Sequence, residues 1–134
     1  MFYVTRFRTE ARSGRLSYVR LDHVQLGMPI GAEAEADRFY CDVLGFLVVP
    51  KPPVLAARGG RWYKREGISL HLGVDSEFRP AVKAHICFVV DDIEELVARA
   101  TTVGIDAQFD DALDGLTRCY VRDPFGNRIE LQQH

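Results

Sequence analysis

The sequence of 134 residues lacks a hydrophobic run long enough to cross a membrane. Its longest apolar stretch, residues 43–49, falls far short of the roughly 18 apolar residues that a membrane-spanning helix needs. Positive charge is not in excess either, since 17 lysines and arginines stand against 19 aspartates and glutamates. Nucleic acids and anionic membrane surfaces are held by such an excess. We therefore expect one globular domain that binds neither a nucleic acid nor a membrane.

Cysteine is scarce, and its spacing is unlike that of two common kinds of small domain. Cys41, Cys87 and Cys119 are odd in number and far apart, with no CxxC pair. A disulfide framework needs paired cysteines, and a zinc ribbon needs closely spaced ones. The pattern therefore predicts a reducing compartment, namely the cytoplasm.

The first 17 residues lack the apolar stretch of a secretory signal. Within them, four arginines stand against a single glutamate. We expect a basic N-terminal extension over residues 1–17, followed by one domain over residues 18–134.

The rest of the chain contains two copies of one structural unit. Residues 18–26 and 82–90 both have the pattern of a strand with a histidine in its middle. A stretch with helical periodicity follows each strand, and the predicted helices end at Gly45 and Gly104. In the second copy, Asp92 is the expected N-cap of the helix.

Glycine spacing supports the duplication. In both copies a further glycine follows the helix-ending glycine after 22 residues. The second copy is therefore displaced by 59 residues over its closing strands, and by 62 over its first strand. These equal spacings predict module one at residues 18–74 and module two at residues 82–134, each with the order strand, helix, then three strands.

Strand alternation predicts which residues share a face of each sheet. Val24 and Ile86 belong to the more apolar sets of the two first strands, which we expect to pack against the helices. The opposite face of each sheet, turned away from the helices, is called the open face below. The repeat-related positions predicted on the open face are His23 and His71 in module one, and His85 and Glu130 in module two.

Three of the four histidines therefore share the open face with a carboxylate. Any one strand histidine taken alone is better explained by a hydrogen bond within a sheet. As a set, imidazole nitrogens and a carboxylate oxygen are ligands suited to Fe, Mn, Ni, Co or Zn. Two histidines and one carboxylate on one face also leave coordination positions open for water or substrate. The sequence therefore predicts a divalent metal ion on the open face.

Five segments of the sequence resemble the vicinal oxygen chelate superfamily, which includes glyoxalase I, extradiol dioxygenases and bleomycin-sequestering proteins. They are LDHVQLG at 21–27, FYCDVLGF at 39–46, ISLHLG at 68–73, KAHICFVVDDIEEL at 83–96 and YVRDPFGNRIEL at 120–131. The last is the most specific, because its Asp-Pro-Phe-Gly-Asn turn leads into the strand that carries Glu130. The resemblance implies an α+β fold in which two βαβββ modules form a curved mixed β-sheet cup with helices on its outer face.

The resemblance also implies roles for the open-face residues. By position, His23, His85 and Glu130 match the metal ligands of the family. His71 stands where glyoxalase I-like members carry a fourth ligand, commonly Glu or Gln. It is therefore a candidate for metal binding, for acid–base catalysis or for hydrogen bonding to the substrate. Many short members are homodimers with each cup built from both chains, so a homodimer is expected.

Other polar side chains are candidates for contact with a substrate. Strand alternation favours a Tyr120 hydroxyl that faces the open side as a catalytic group, with Arg118 beside it as a substrate-binding residue. Arg61 and Tyr63 occupy comparable places in module one, and Gln25 lies on the open face of the first strand. The other interpretation of these residues is structural, as cross-strand aromatics and solvated arginines.

Two functions fit this pattern. The first is a metal-dependent lyase, isomerase or oxygenase in which the ion acts as a Lewis acid on a small oxygenated substrate. The second is a metal-independent protein of the bleomycin-resistance type that sequesters a small molecule. A binding cup has no need for three histidines and a glutamate in register, so the ligand set favours the enzyme.

Overall fold

The computed structural model describes residues 16–134, which form two four-stranded sheets and three helices. Module one contains β1 (Val24–Met28), α1 (Glu33–Tyr40), β2 (Leu47–Val49), α2 (Pro53–Ala56), β3 (Arg61–Arg65) and β4 (Ile68–Val74). Module two contains β5 (Ile86–Val89), α3 (Ile93–Thr102), β6 (Gln108–Phe109), β7 (Thr117–Arg122) and β8 (Arg128–Gln133). None of the helices in this part of the chain is long and apolar enough to span a membrane.

The two sheets repeat one topology. Their strand orders are β1-β4-β3-β2 and β5-β8-β7-β6. In each, the first strand pairs in parallel with the last, and the other neighbours are antiparallel. The predicted α+β class and the two βαβββ modules are therefore confirmed. The strands remain two separate sheets and do not close into one.

The first strand of each module is shorter than predicted. The β1 strand begins at Val24 and β5 at Ile86, whereas the sequence pattern predicted strands over 18–26 and 82–90. Val24 pairs with Leu70, and residues 18–23 form no strand pairing within the described part of the chain. The apolar side chains there, among them Tyr18 and Leu21, are exposed. Residues 1–15 of the predicted basic extension lie outside the described part.

The second long helix, α3, ends beside Gly104 as predicted, whereas α1 ends at Tyr40 and turn residues 41–44 lead on to Gly45. The Asp92 carboxylate accepts a hydrogen bond of 3.0 Å from the backbone amide of Glu95, so Asp92 caps α3. Gly45 and Gly104 both have φ of 77°, a conformation that glycine adopts without a steric penalty. The amides of the residues that follow them bond back to helix carbonyls, which turns the chain into its next segment.

One apolar core joins the two modules. Its buried side chains come from both sheets and from α1 and α3. Leu70 and Leu72 of β4, and Ile129 and Leu131 of β8, are almost fully buried on the helix side, as strand alternation predicted. Burial of one face fixes the opposite face of each strand, and this is the face that carries His71 and Glu130.

The Asp123 carboxylate ties the turn before β8 to module one. It accepts a hydrogen bond of 2.6 Å from the Tyr40 hydroxyl of α1. It also accepts bonds from the amides of Phe125 and Asn127 and from the Asn127 side chain. The same Asn127 amide group donates to the Gly27 carbonyl of β1. Burial, and then the neighbouring carboxylate, raise the pKa of Tyr40, which keeps its hydroxyl a donor.

Replacing this carboxylate should destabilise the whole domain. We expect Asp123→Ala to lower the free energy of unfolding by about 3 kcal/mol, because four buried hydrogen bonds lose their acceptor. Urea denaturation measures this change. The matched control is Asp111→Ala in an exposed loop, expected to stay within about 0.5 kcal/mol of the wild type. Equal stability of the two variants would contradict a role for Asp123 in joining the modules.

Candidate functional site

Strand register places one row of side chains across the open face of each sheet. In the first sheet the row is Val49, Trp62, His71 and Gln25. In the second sheet it is Gln108, Tyr120, Glu130 and Cys87. The two rows match position by position, so His71 and Glu130 are equivalent, as the repeat predicted. Tyr120 lies on the open face as predicted, and its equivalent is Trp62.

The prediction that Arg61 and Tyr63 face the open side is wrong. Tyr63 is fully buried, and its hydroxyl donates a bond of 2.7 Å to Asp37 on α1. The Arg61 guanidinium donates to both oxygens of the same carboxylate, at 3.0 and 3.2 Å from its Nε. Both side chains therefore lie on the helix side of β3, away from the open-face row.

The spacing between paired residues of the last two strands differs by one residue between the modules, and this difference explains the error. Nine positions separate Trp62 from His71, whereas ten separate Tyr120 from Glu130. One residue more reverses the side on which the preceding strand places its side chains. The sequence held a signal for the correct register, because Glu66-Gly67 is a two-residue hairpin turn, and Glu66 there has a φ of 52°. Counted from that turn, the paired residues of the two strands place Trp62 beside His71.

In module two, His85 and Glu130 form a pair of candidate metal ligands. The His85 Nε2 atom lies 3.4 Å from Glu130 Oε1. Two donors that each lie about 2.1 Å from one ion, at a roughly tetrahedral angle, have this separation. His85 Nδ1 lies 2.7 Å from the Lys83 carbonyl oxygen, so Nδ1 carries the proton and leaves the Nε2 lone pair free. The pair thus fits a divalent cation in both chemistry and spacing.

Neighbouring groups keep Glu130 ionised. Its burial would raise its pKa, but hydrogen bonds from Cys87 and Gln132 outweigh this and lower the pKa to about 2. Burial and the same carboxylate raise the pKa of Cys87 to about 12, so this thiol stays protonated and acts as a donor. Glu130 is therefore anionic over the whole physiological pH range.

Arg118 and Tyr120 complete the module-two cluster. Arg118 NH2 donates a bond of 2.9 Å to Asp110, and its NH1 lies 3.6 Å from Glu130 Oε1. The Tyr120 hydroxyl lies 3.3 Å from Arg118 NH1. A hydrogen bond with Glu130, together with burial, raises the pKa of Tyr120 and keeps it protonated. Arg118 Nε is buried with no hydrogen-bond partner among the described residues, so one donor is left over.

In module one, His71 is stacked between two other rings. Its ring centroid lies 4.3 Å from that of Trp62, with 6° between the planes, and 4.1 Å from that of His23, with 18°. His23 Nδ1 lies 2.9 Å from an Asp22 oxygen, so its Nε2 lone pair is free, like that of His85. An imidazole holds a metal ion in its own ring plane. Because the two histidine planes are nearly parallel, this arrangement does not aim both rings at one ion.

The two clusters lie apart within the chain. Among the described residues, no group of three His, Cys, Asp or Glu side chains is close enough together to hold a metal ion. His23 and His71 sit over the first sheet, and His85 and Glu130 over the second. The chain thus brings together two of the predicted ligands, and His23 stays on the other module.

A cavity of about 760 Å³ covers the open face of module one. His23, His71 and Trp62 line it, and so does Gln25, which was predicted as a substrate contact. The Gln25 side chain occupies the space that a Cβ atom at position 73 would fill, so Gly73 gives it room. A small molecule thus has access to the candidate residues of this module.

Comparisons with known proteins agree with this architecture. Residues 20–131 match the family model of the glyoxalase/bleomycin resistance protein/dioxygenase superfamily. A glyoxalase family protein from Bacillus anthracis is 41% identical, with a TM-score of 0.82, over 90% of this chain and 98% of that one. No protein with a curated description matches the sequence.

Two more distant structures share the fold. The fosfomycin resistance protein FosX from Listeria monocytogenes is 14% identical, with a TM-score of 0.72, over 88% of this chain and 95% of that one. A lactoylglutathione lyase from Agrobacterium tumefaciens is 24% identical, with a TM-score of 0.60, over 81% and 90%. At these identities the likeness extends to the fold alone.

Proposed function

Because the chain belongs to the glyoxalase/bleomycin resistance protein/dioxygenase superfamily, we propose that it is a divalent-metal-dependent enzyme acting on a small oxygenated substrate. The observation that supports this most is the His85 and Glu130 pair, with 3.4 Å between its donor atoms and its carboxylate ionised. His23 is the third proposed ligand, because its free Nε2 atom and its place in the repeat match those of His85. A bound cation would supply Lewis acidity toward a substrate oxygen.

The chain's own groups suit a substrate that carries oxygen atoms. Arg118, whose NH1 lies 3.6 Å from Glu130 Oε1, is the proposed contact for a substrate oxygen. Tyr120, held protonated next to the same carboxylate, is the proposed proton donor. Burial and the nearby His23 lower the pKa of His71, so its ring is neutral near pH 7 and able to accept a proton. The type of reaction we propose is that of a lyase or isomerase, or of an oxygenase if the ion is iron.

A complete site needs a second copy of the chain. One chain holds His85 and Glu130 together but keeps His23 on the other sheet, and these described residues form no three-ligand group. Within residues 16–134, β1 and β5 are edge strands, each with a single strand partner. Closed twofold symmetry would let module one of one chain face module two of its partner, twice. We therefore propose a homodimer with two sites, each built from both chains.

Elemental analysis tests the proposed enzyme. Protein purified without chelator should contain about one divalent ion per chain, and His85→Ala should lose it, since one of the ligands is removed. Iron would indicate an oxygenase, and Ni, Co, Mn or Zn a lyase or isomerase. Protein without stoichiometric metal, unchanged by His85→Ala, would overturn the proposal. That outcome would favour the sequestering protein, for which the cavity over module one is the supporting feature.

A further inference from the structure

Three aromatic side chains stand side by side on the open face of module one. Trp62 and His71 come from adjacent strands, and His23 follows on the far side of His71. Strand spacing of about 4.8 Å is close to the separation of stacked rings. The observed centroid distances of 4.3 and 4.1 Å show that the rings form a row of nearly parallel plates.

The row of rings ends at Trp62, because the next strand carries a small side chain. Val49 of the edge strand β2 pairs with Trp62. His71 covers one face of the indole, so the other face is turned toward β2. Trp62 is only partly buried, and it lines the cavity together with Val49 and Leu55. The space above Val49 is therefore open for one more flat group to stack on the indole.

Positive charge surrounds this end of the cavity. Lys51, Arg58 and Lys64 line it. The Lys51 ammonium group donates to the Gly59 carbonyl, which holds the lysine at the cavity wall. Among the described residues, Asp22 is the acidic group that lines the cavity, and it lies at the other end beside His23. A flat ligand on Trp62 would thus meet positive charge at its outer edge.

In module two, the ring that matches Trp62 in the row is covered by a cation from the neighbouring strand β8. The Arg128 guanidinium lies 4.0 Å from the centroid of the Tyr120 ring. Tyr120 therefore has a cation of its own chain over its ring. Among the described residues, no such cation lies over the Trp62 ring. The two halves of the repeat have thus diverged, with charged groups in module two and an aromatic slot in module one.

We propose that the slot between Trp62 and Val49 binds a planar aromatic group of the substrate, with a carboxylate directed to Lys51 and Arg58. The substrate class is then an aromatic carboxylic acid. This inference rests on the proposed function, because it names the substrate class of the same site. The proposal requires that a ligand with an aromatic ring binds more tightly than one without, and that this difference is lost when Trp62 is replaced.

Calorimetric titration with two probes separates the ring from the oxygens. Phenylglyoxylate and pyruvate carry the same keto acid group, and only the first has an aromatic ring. We expect the wild type to bind phenylglyoxylate about tenfold more tightly, as expected for stacking on an indole. Trp62→Leu should reduce this ratio to about twofold, and Trp62→Phe should keep most of it. Since Trp62 is the single tryptophan of the chain, phenylglyoxylate should also quench its fluorescence.

The control variant is Phe109→Leu, which removes an exposed aromatic ring from the edge of the second sheet. It should keep the wild-type ratio. A ratio near one in the wild type, or a ratio that survives Trp62→Leu, would overturn the slot. Titrations of chelator-treated protein keep the two proposals distinct. If the protein fails to bind added metal but prefers the aromatic probe, the enzyme is refuted and the slot is supported. If it binds metal without preferring the aromatic probe, the slot is refuted and the enzyme is supported.

Discussion

Glu130→Gln is expected to weaken metal binding at least about a hundredfold. Loss of a group that only supports a ligand lowers metal affinity by roughly 10-fold to 100-fold, and loss of a ligand should cost more. Glu130 is the anionic member of the proposed ligand set, and its pKa of about 2 keeps the negative charge at any physiological pH. The amide of glutamine fills the same volume without the charge. Titration of metal-free protein with Zn²⁺ or Ni²⁺, followed by calorimetry, measures the change.

Two further variants make this loss specific. Glu94→Gln removes the same charge from an exposed position on α3 and should leave the affinity unchanged. His71→Gln should weaken binding by less than about tenfold, because the ring is stacked parallel to His23 and supports its orientation. Equal loss in His71→Gln and Glu130→Gln would show that His71 is a full ligand. The proposed set of three would then be wrong.

Mixed dimers are expected to recover metal binding that both parent variants have lost. In a heterodimer of His23→Ala and Glu130→Gln chains, shared sites would place both substitutions in one site and leave the other intact. We expect each homodimer to bind almost no metal, and the heterodimer to bind about half of the wild-type amount. Co-expression with two affinity tags yields the heterodimer, and elemental analysis measures its metal.

A second heterodimer serves as the control. His85→Ala and Glu130→Gln both lie in module two, so every site of that heterodimer contains one substitution. It should bind no more metal than the homodimers. If the His23→Ala and Glu130→Gln heterodimer also stays empty, the site is not shared between chains. A monomeric wild type in light scattering would have the same consequence.

Much of the fold could be predicted from local patterns. The end of α3 at Gly104, the Asp92 cap and the order of helix and strands along each module follow from periodicity and from the positions of turn-forming residues, whereas α1 ends five residues before the predicted Gly45. The equivalence of His71 and Glu130 also follows from spacing, because each lies four residues after its glycine, Gly67 or Gly126, and both closing strands bury the opposite face. The first strands were predicted too long, because the sequence pattern does not show where pairing with the closing strand begins.

The error at β3 had a different origin. Equal glycine spacing suggested that Arg61 matches Tyr120, and the alternation then placed Arg61 and Tyr63 on the wrong face. The residue that the structure places beside His71 is Trp62. Alternation has a period of two, so a difference of one residue in a turn exchanges the two faces of a strand.

The sequence by itself determined the duplication, the α+β class and the presence of His71 and Glu130 on the open face, because these depend on local periods and on equal spacings. Only the tertiary structure decided that Trp62 stacks on His71, that Arg61 and Tyr63 bond to Asp37, and that His23 forms no three-ligand group with His85 and Glu130 among the described residues. The physical reason is that contacts between strands depend on register, turn length and the packing of one sheet beside the other. Residues that are far apart along the chain set these jointly.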